Sequence, residues 1–465
     1  MAPVLWTSDE IVAATGGRHS GAAFAAGGVS VDSRTLEPGD LFVALEAERD
    51  GHAFLEAAFE AGASGALARR AVPGPCIIVD DTLQALTGLG ETGRRRARHA
   101  RRGAVTGSVG KTSVTQAILA GLARVGPAHG SVQSYNNHIG VPLTLARMPP
   151  ATRRAVFEIG MNHAGELAPL SRLVRPSAVA VTSVGPVHVE NFVDGEAGVA
   201  AAKAEIFEGL QEGGVAVLPA DNRWFGLLAE RAGRRGAKVR SFGPGAGADA
   251  RLERFERSSD GALVTARIDG QPLKFPIRQS GAHWGAMSLC ALLMLEAMEV
   301  DRPDAVAALS SFEPLDGRGA ERRVGIEGGA FTLVDESYNA NPISMNAALE
   351  TLGARSGGAR KLVVLTDMLE LGDEAGAAHA ALAAQIEAAG VDLVYCAGPL
   401  MEGLWHALPP SRRGGYARCA GELAPQLVEA IEPGDLVMVK GSKGSKAWTL
   451  KAALAAMDGG PADGG

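Results

Sequence analysis

Apolar and polar positions along the chain fall into three stretches of different texture. From Val29 to about Val79, short apolar runs (Leu41 to Leu45, Cys76 to Val79) flank a helically spaced segment, Ala53 to Ala63. Beyond an arginine-dense run, Arg94 to Arg102, the pattern becomes strand, glycine turn, helix. Ala104 to Thr106 reads as a short buried strand and Ser113 to Arg124 as the helix after it. Further strands are predicted at Ala155 to Ile159, Ala178 to Ser183, Val215 to Leu218 and Val239 to Phe242, with helical segments between several of them. Such alternation favours a mainly parallel sheet covered by helices. A third unit starts near Pro314, where Phe331 to Asp335, Lys361 to Thr366, Leu393 to Ala397 and Leu436 to Lys440 alternate with alanine-rich helices. The fold class is therefore α/β with three domains, at 1–98, 99–313 and 314–465. The glycine-rich end, Asp458 to Gly465, is expected to be disordered.

Composition changes this picture little. The chain has 465 residues, 46% hydrophobic and 21% charged, ordinary values for a globular protein with several cores. A formal net charge of −7 argues against nonspecific attraction to nucleic acid, and reads the arginine run as a solvated helix or connector. No apolar run approaches the ~18 residues of a membrane span. Asp9 and Glu10 follow the start closely with no basic segment before an apolar one, so no secretory signal is expected. Cys76, Cys290, Cys396 and Cys419 are far apart without a CxxC pair, which points to reduced thiols and a cytoplasmic location.

The strongest chemical signal is Thr106-Gly-Ser-Val-Gly-Lys-Thr-Ser113, between strand and helix. Backbone N–H groups of Gly107, Ser108, Val109 and Gly110 can close around phosphate oxygens, and the helix N-terminus adds positive potential. Lys111 can neutralise β/γ-phosphate charge, and the hydroxyls of Thr112 and Ser113 stand beside it, Thr112 as a Mg²⁺ ligand. Val105 occupies the place of the first glycine in the general phosphate-loop spacing, and a chance Gly-Lys-Thr turn is the plain alternative. Glu158 ends an apolar strand, where a charge is costly unless paired or bound to metal. His188, in Val184-Gly-Pro-Val-His188-Val-Glu-Asn191, follows another strand, and Lys203 lies on a helix. Taken singly, these two read as a loop histidine and a surface lysine.

Taken in order, these motifs resemble the Mur ligase family over nearly the whole chain. The resemblance implies a central ATP-binding domain with a phosphate-loop-type, mainly parallel sheet, preceded by a UDP-muramoyl-peptide-binding domain and followed by a Rossmann-like domain. It implies two Mg²⁺ ions, one held by Thr112 and Glu158, the other by His188 and by Lys203 carrying a CO₂-derived carbamate. Asp335-Glu-Ser-Tyr-Asn-Ala-Asn-Pro342 is similar to the branch that adds D-alanyl-D-alanine to UDP-N-acetylmuramoyl-tripeptide. It implies Tyr338, Asn339 and Asn341 as dipeptide contacts and Asp335 as a nucleotide contact. A helix cap is the structural alternative for the two asparagines. Val31-Asp-Ser33-Arg34 is similar to the uridine-diphosphate module, Asn136-Asn137-His-Ile-Gly to the muramoyl loop, and Asp316-Gly-Arg318 to an arginine reaching nucleotide phosphate. Where the family has Gly-x-His-Asn-x-x-Asn near adenine, this chain reads Gly281-Ala-His283-Trp284-Gly-Ala-Met287, which keeps His283 for the nucleotide and offers Trp284 to the base. The expected protein is a monomeric ADP-forming ligase. The alternatives are a relative adding a single amino acid and a non-catalytic nucleotide-binding protein.

Overall fold

The chain's computed structural model describes residues 3–46, 49–132, 134–187, 189–258, 260–355 and 357–459. Among them, three α/β layers follow one another along the chain, each built on its own sheet. The first sheet runs in the order Arg18–Ser20, Cys76–Ile78, Gly65–Ala68, Asp40–Val43, Gly28–Ser30, parallel except for its first pair. The pair Trp6–Thr7 and Ala25–Ala26 stands beside it.

The central sheet has nine strands. From one edge they are Ala128–Gly130, Arg154–Glu158, Arg101–Thr106, Ala178–Val181, Val215–Pro219, Lys238–Gly243, Ala250–Ser258, Gly261–Ile268 and Gln271–Ile277. All pairings up to Ala250–Ser258 are parallel, and the last two are antiparallel. Buried strands such as Ala178-Val-Ala-Val181 carry apolar residues at every position because helices cover both faces. Register sets Glu158 beside Val105 and Val181 beside Thr106, so both neighbours of the phosphate loop end at its level.

The third sheet runs Ala320–Ile326, Gly329–Glu336, Leu436–Lys440, Lys361–Thr366, Leu393–Ala397, Arg413–Ala417, with only its first pair antiparallel. Its register places Glu336 against Lys440.

Two expectations change. The arginine run is only partly a solvated connector: it ends the helix Thr82–Arg96 and begins the strand Arg101–Thr106. Arg102 is buried and donates to the carbonyls of Ala100 and Val174, while Arg96 lies 4.3 Å over the Trp6 ring. The end of the chain is tied down further than its glycines suggest, since Asp458 pairs with Arg322 and Gly459 donates to Gly325 O; residues 460–465 lie outside the described ones.

Candidate active site between the central and C-terminal sheets

The loop after Arg101–Thr106 needs glycine at two positions. Gly107 has φ +150°, and a Cβ there would fall 1.9 Å from Thr182 Oγ1. Gly110 has φ +83° and precedes the helix Lys111–Arg124, whose first turn has no side-chain cap. The free N–H groups of that turn face a cavity of about 480 Å³ bordered by residues 108–113, the size range of a small-ligand site. Ser183 braces the loop: its carbonyl accepts from Ser108 N at 2.9 Å and its hydroxyl from Val109 N at 3.0 Å. Those two N–H groups are thus engaged, and the Ser108 hydroxyl donates to Gly185 O. Lys111 folds back with Nζ 2.7 Å from Gly107 O. Burial pushes its amine down; the Glu158 carboxylate opposes this and the Arg318 guanidinium adds to it.

Glu158 is 1% exposed. Its Oε1 accepts from Asn136 Nδ2 at 2.6 Å, whereas Oε2 is buried with no partner. An ionised oxygen left so is expensive, and a hard cation would satisfy it. Thr112 Oγ1, the other expected ligand, is 3.2 Å from Ser134 Oγ and accepts from Arg318 Nη2 at 2.9 Å. The donors therefore fit Mg²⁺ in type, an acidic oxygen and a hydroxyl. Lys203 is also buried, 4% exposed, without an ion-pair partner among the described residues. Burial first and the Lys111 charge second drive its amine well below the ordinary lysine range. It is therefore not the surface lysine that its sequence alone suggests. His188 lies outside the described residues.

The opposite wall comes from the C-terminal sheet. Arg318 crosses to Thr112 with its guanidinium 4.2 Å from the Tyr338 ring. Asp335 does not border the cavity: Oδ2 takes Gly317 N at 2.9 Å and Lys451 Nζ at 3.1 Å, and Oδ1 takes Ser337 N at 3.0 Å. It braces the turn that carries Arg318, which accounts for its burial without a nucleotide contact. Tyr338, Asn339 and Asn341 all border the cavity. Asn341 is at the same time the N-cap of the helix Pro342–Gly353, with Oδ1 2.9 Å from Ser344 N in a capping box. Asn339 Oδ1 is used locally by Ala340 N at 2.9 Å.

The remaining expected residues separate. Asn136 is inside the site, but Asn137 turns away, its Oδ1 accepting from Gly140 N at 2.9 Å where the helix Gly140–Ala146 begins. Ser33 and Arg34 do not border this cavity and lie at the first sheet, where Arg34 pairs with Asp32 at 2.6 Å. His283 stands at the cavity margin with its side chain still open to solvent, and the protein packed around the ring pushes its imidazole down. Trp284 borders the cavity too, yet it is 5% exposed, belongs to the core and packs on Phe312 at 5.9 Å, so it is first a core residue. Sequence reasoning overlooked Ser134 and Glu336, and it noted the late loop Val439-Lys-Gly-Ser-Lys443 without giving a role to the buried Lys440, whose Nζ lies 3.3 Å from Glu336 Oε2 and 3.0 Å from Asn339 O. The available signal was a lysine ending the apolar strand Leu436-Val-Met-Val-Lys440.

With this geometry in place, comparison with known proteins is direct. The Mur ligase middle domain matches residues 105–295, and the Mur ligase, glutamate ligase domain matches residues 322–443. The UDP-N-acetylmuramoyl-tripeptide–D-alanyl-D-alanine ligase of Bacillus subtilis is 34% identical over 90% of this chain and 91% of its own length. That of Escherichia coli is 35% identical over 82% of this chain and 83% of its own. The solved structure of UDP-N-acetylmuramoylalanyl-D-glutamyl-2,6-diaminopimelate–D-alanyl-D-alanyl ligase from Acinetobacter baumannii superposes with a TM-score of 0.82 at 26% identity, covering 97% of this chain and 98% of that one. With near-complete coverage and a shared three-layer fold, this chain belongs to the Mur ligase family.

Proposed function

We propose that this protein is an ATP-dependent, ADP-forming ligase that joins D-alanyl-D-alanine to UDP-N-acetylmuramoyl-tripeptide in cytoplasmic peptidoglycan precursor synthesis. One observation carries the reading: the uncapped phosphate-loop helix, the unpartnered Glu158 oxygen and Arg318 from the other sheet converge on one cavity. The curated relatives named for this reaction match the chain along most of its length. Residues 1–98 would hold the UDP-muramoyl peptide through Ser33 and Arg34, 99–313 the ATP, and 314–465 the dipeptide through Tyr338, Asn339 and Asn341.

The reaction divides into two displacements. A terminal carboxylate oxygen of the tripeptide attacks the γ-phosphorus, the bond to the β–γ bridging oxygen breaks, and ADP leaves. The dipeptide amine then adds to the acyl-phosphate carbon. Collapse of the tetrahedral adduct expels phosphate with the C–O electron pair, and the amine gives up a proton. Lys111 and Arg318 approach the phosphates from two domains, so closure aligns the reactants and adds positive charge together. Thr112 and Glu158 would hold one Mg²⁺, and His188 and Lys203 a second, which when bound offset charge on the transferring phosphoryl group. Lys203 suits carbamylation: its burial favours the neutral amine, whose lone pair adds to CO₂ with loss of a proton. The resulting anion would lie close to Lys111. Phosphate release that requires both UDP-muramoyl tripeptide and D-alanyl-D-alanine tests the reading. Ligation of a free diamino acid to the UDP-muramoyl dipeptide instead would place the chain elsewhere in the family, and binding without turnover would make it a non-catalytic member.

A further inference from the structure

We propose that Asn136 is a positioning residue for the metal ligand Glu158, rather than primarily a contact for the muramoyl substrate. This rests on the reading of the cavity as a metal–nucleotide site.

Residues 134 and 136 of one loop touch the two expected ligands of one ion. Ser134 Oγ is 3.2 Å from Thr112 Oγ1, and Asn136 Nδ2 donates to Glu158 Oε1 at 2.6 Å. A carboxylate turns easily about its last torsion. The hydrogen bond from the Asn136 amide removes that freedom and occupies one oxygen only, so the buried Oε2 is the one left to a cation. Ser131 Oγ accepts from Glu158 N at 3.0 Å and fixes the backbone beneath. Asn136 is itself held: Gly160 N donates to its carbonyl at 2.8 Å, and the missing Gly160 side chain makes room for its amide. A Cβ on Gly160 would fall 2.9 Å from Asn136 Cγ and 3.0 Å from Nδ2.

Between these two residues, Tyr135 anchors the loop on another module. Its ring packs against the N-terminal core cluster that contains Trp6, Ile11 and Val29. Arg147 lies 6.0 Å over that ring and donates to Val29 O at 2.6 Å. A Cβ on Gly140 would meet Tyr135 at 2.5–2.8 Å, so the fit there is close. The Glu158 carboxylate is thus aimed by a loop whose register the first domain sets.

The test is a Mg²⁺ titration of non-hydrolysable ATP analogue binding, followed by calorimetry on the full chain. Asn136→Ala should raise the Mg²⁺ concentration for half-saturation by about tenfold, the lower end for lost partners of metal ligands. Analogue affinity without Mg²⁺ and the KM for UDP-muramoyl tripeptide should stay unchanged, because KM rises only when a binding contact is removed. Gly160→Ala keeps the amide but pushes it aside, so it should shift the Mg²⁺ requirement in the same direction. An unchanged Mg²⁺ requirement in both variants, with a raised KM for the UDP substrate in Asn136→Ala, would overturn the proposal and make Asn136 a substrate ligand. A wild-type protein whose nucleotide binding ignores Mg²⁺ would instead sink the site reading, and this inference with it.

Discussion

Replacing Glu158 by Gln should move stability and function in opposite directions. The side chain is 1% exposed and keeps one oxygen without a partner. The amide preserves the acceptor for Asn136 Nδ2 and removes the charge that is costly to bury. An unsatisfied buried polar atom costs about 1–3 kcal/mol, more when ionised. Against this stands the lost attraction to Lys111, whose amine the carboxylate helps keep charged. With a near-zero exposure the desolvation side should win, and the ligand-free variant should gain about 1 kcal/mol. That is about 2–4 °C in Tm for a domain of roughly 150–250 residues. Bound Mg²⁺–nucleotide at a hundredfold excess over Kd stabilises a protein by about 2.7 kcal/mol. The variant should lose most of that increment because Oε2 can no longer ligate. Scanning calorimetry with and without the non-hydrolysable analogue and Mg²⁺ reads both effects. A ligand-free variant that melts below wild type, or one that keeps the full Mg²⁺-dependent increment, would refute the reasoning.

Lys203→Ala should be nearly inactive, with partial recovery in added short-chain carboxylates that fill the vacated anionic position; an active alanine variant and an unmodified lysine by intact mass would refute carbamylation. Asn341→Ala should lose about 1 kcal/mol, the usual value of an N-cap, and also raise the KM for D-alanyl-D-alanine if its amide serves both roles; a stability loss with unchanged KM confines it to the cap. His379 supplies the pH prediction: Nε2 accepts from Met368 N at 2.9 Å, Nδ1 faces Ala375 O at 2.6 Å, and burial pushes its pKa below 6.5. As pH falls below 6.5 the unfolded chain takes up a proton that the folded imidazole resists, so stability is lost on acidification. Denaturant melts of His379→Gln between pH 7 and 5 should show a shallower decline than wild type, and an equal slope would show that other groups dominate.

Legibility from sequence followed burial. Lys361–Thr366, Leu393–Ala397 and Leu436–Lys440 lie within their sheet with apolar runs that match their strands end to end. The hairpin strands Ala250–Ser258 to Gln271–Ile277 escaped because one face is wet: Arg251, Glu253, Arg254 and Glu256 break the apolar run that marks a buried strand. Strand Arg101–Thr106 begins earlier than its apolar part because carbonyls of the fold, invisible in the chain, absorb Arg102. The site was legible as a set of residue types but not as directions. Neighbours in a strand point to opposite faces, so Asp335 goes under the sheet to Gly317 and Lys451 while Glu336 borders the cavity beside Lys440. Asn136 and Asn137, in a loop, also part, one to Glu158 and the other to Gly140 N where a helix begins. A motif therefore names a pair of positions, and only the packing on either side decides which of the two reaches the ligand.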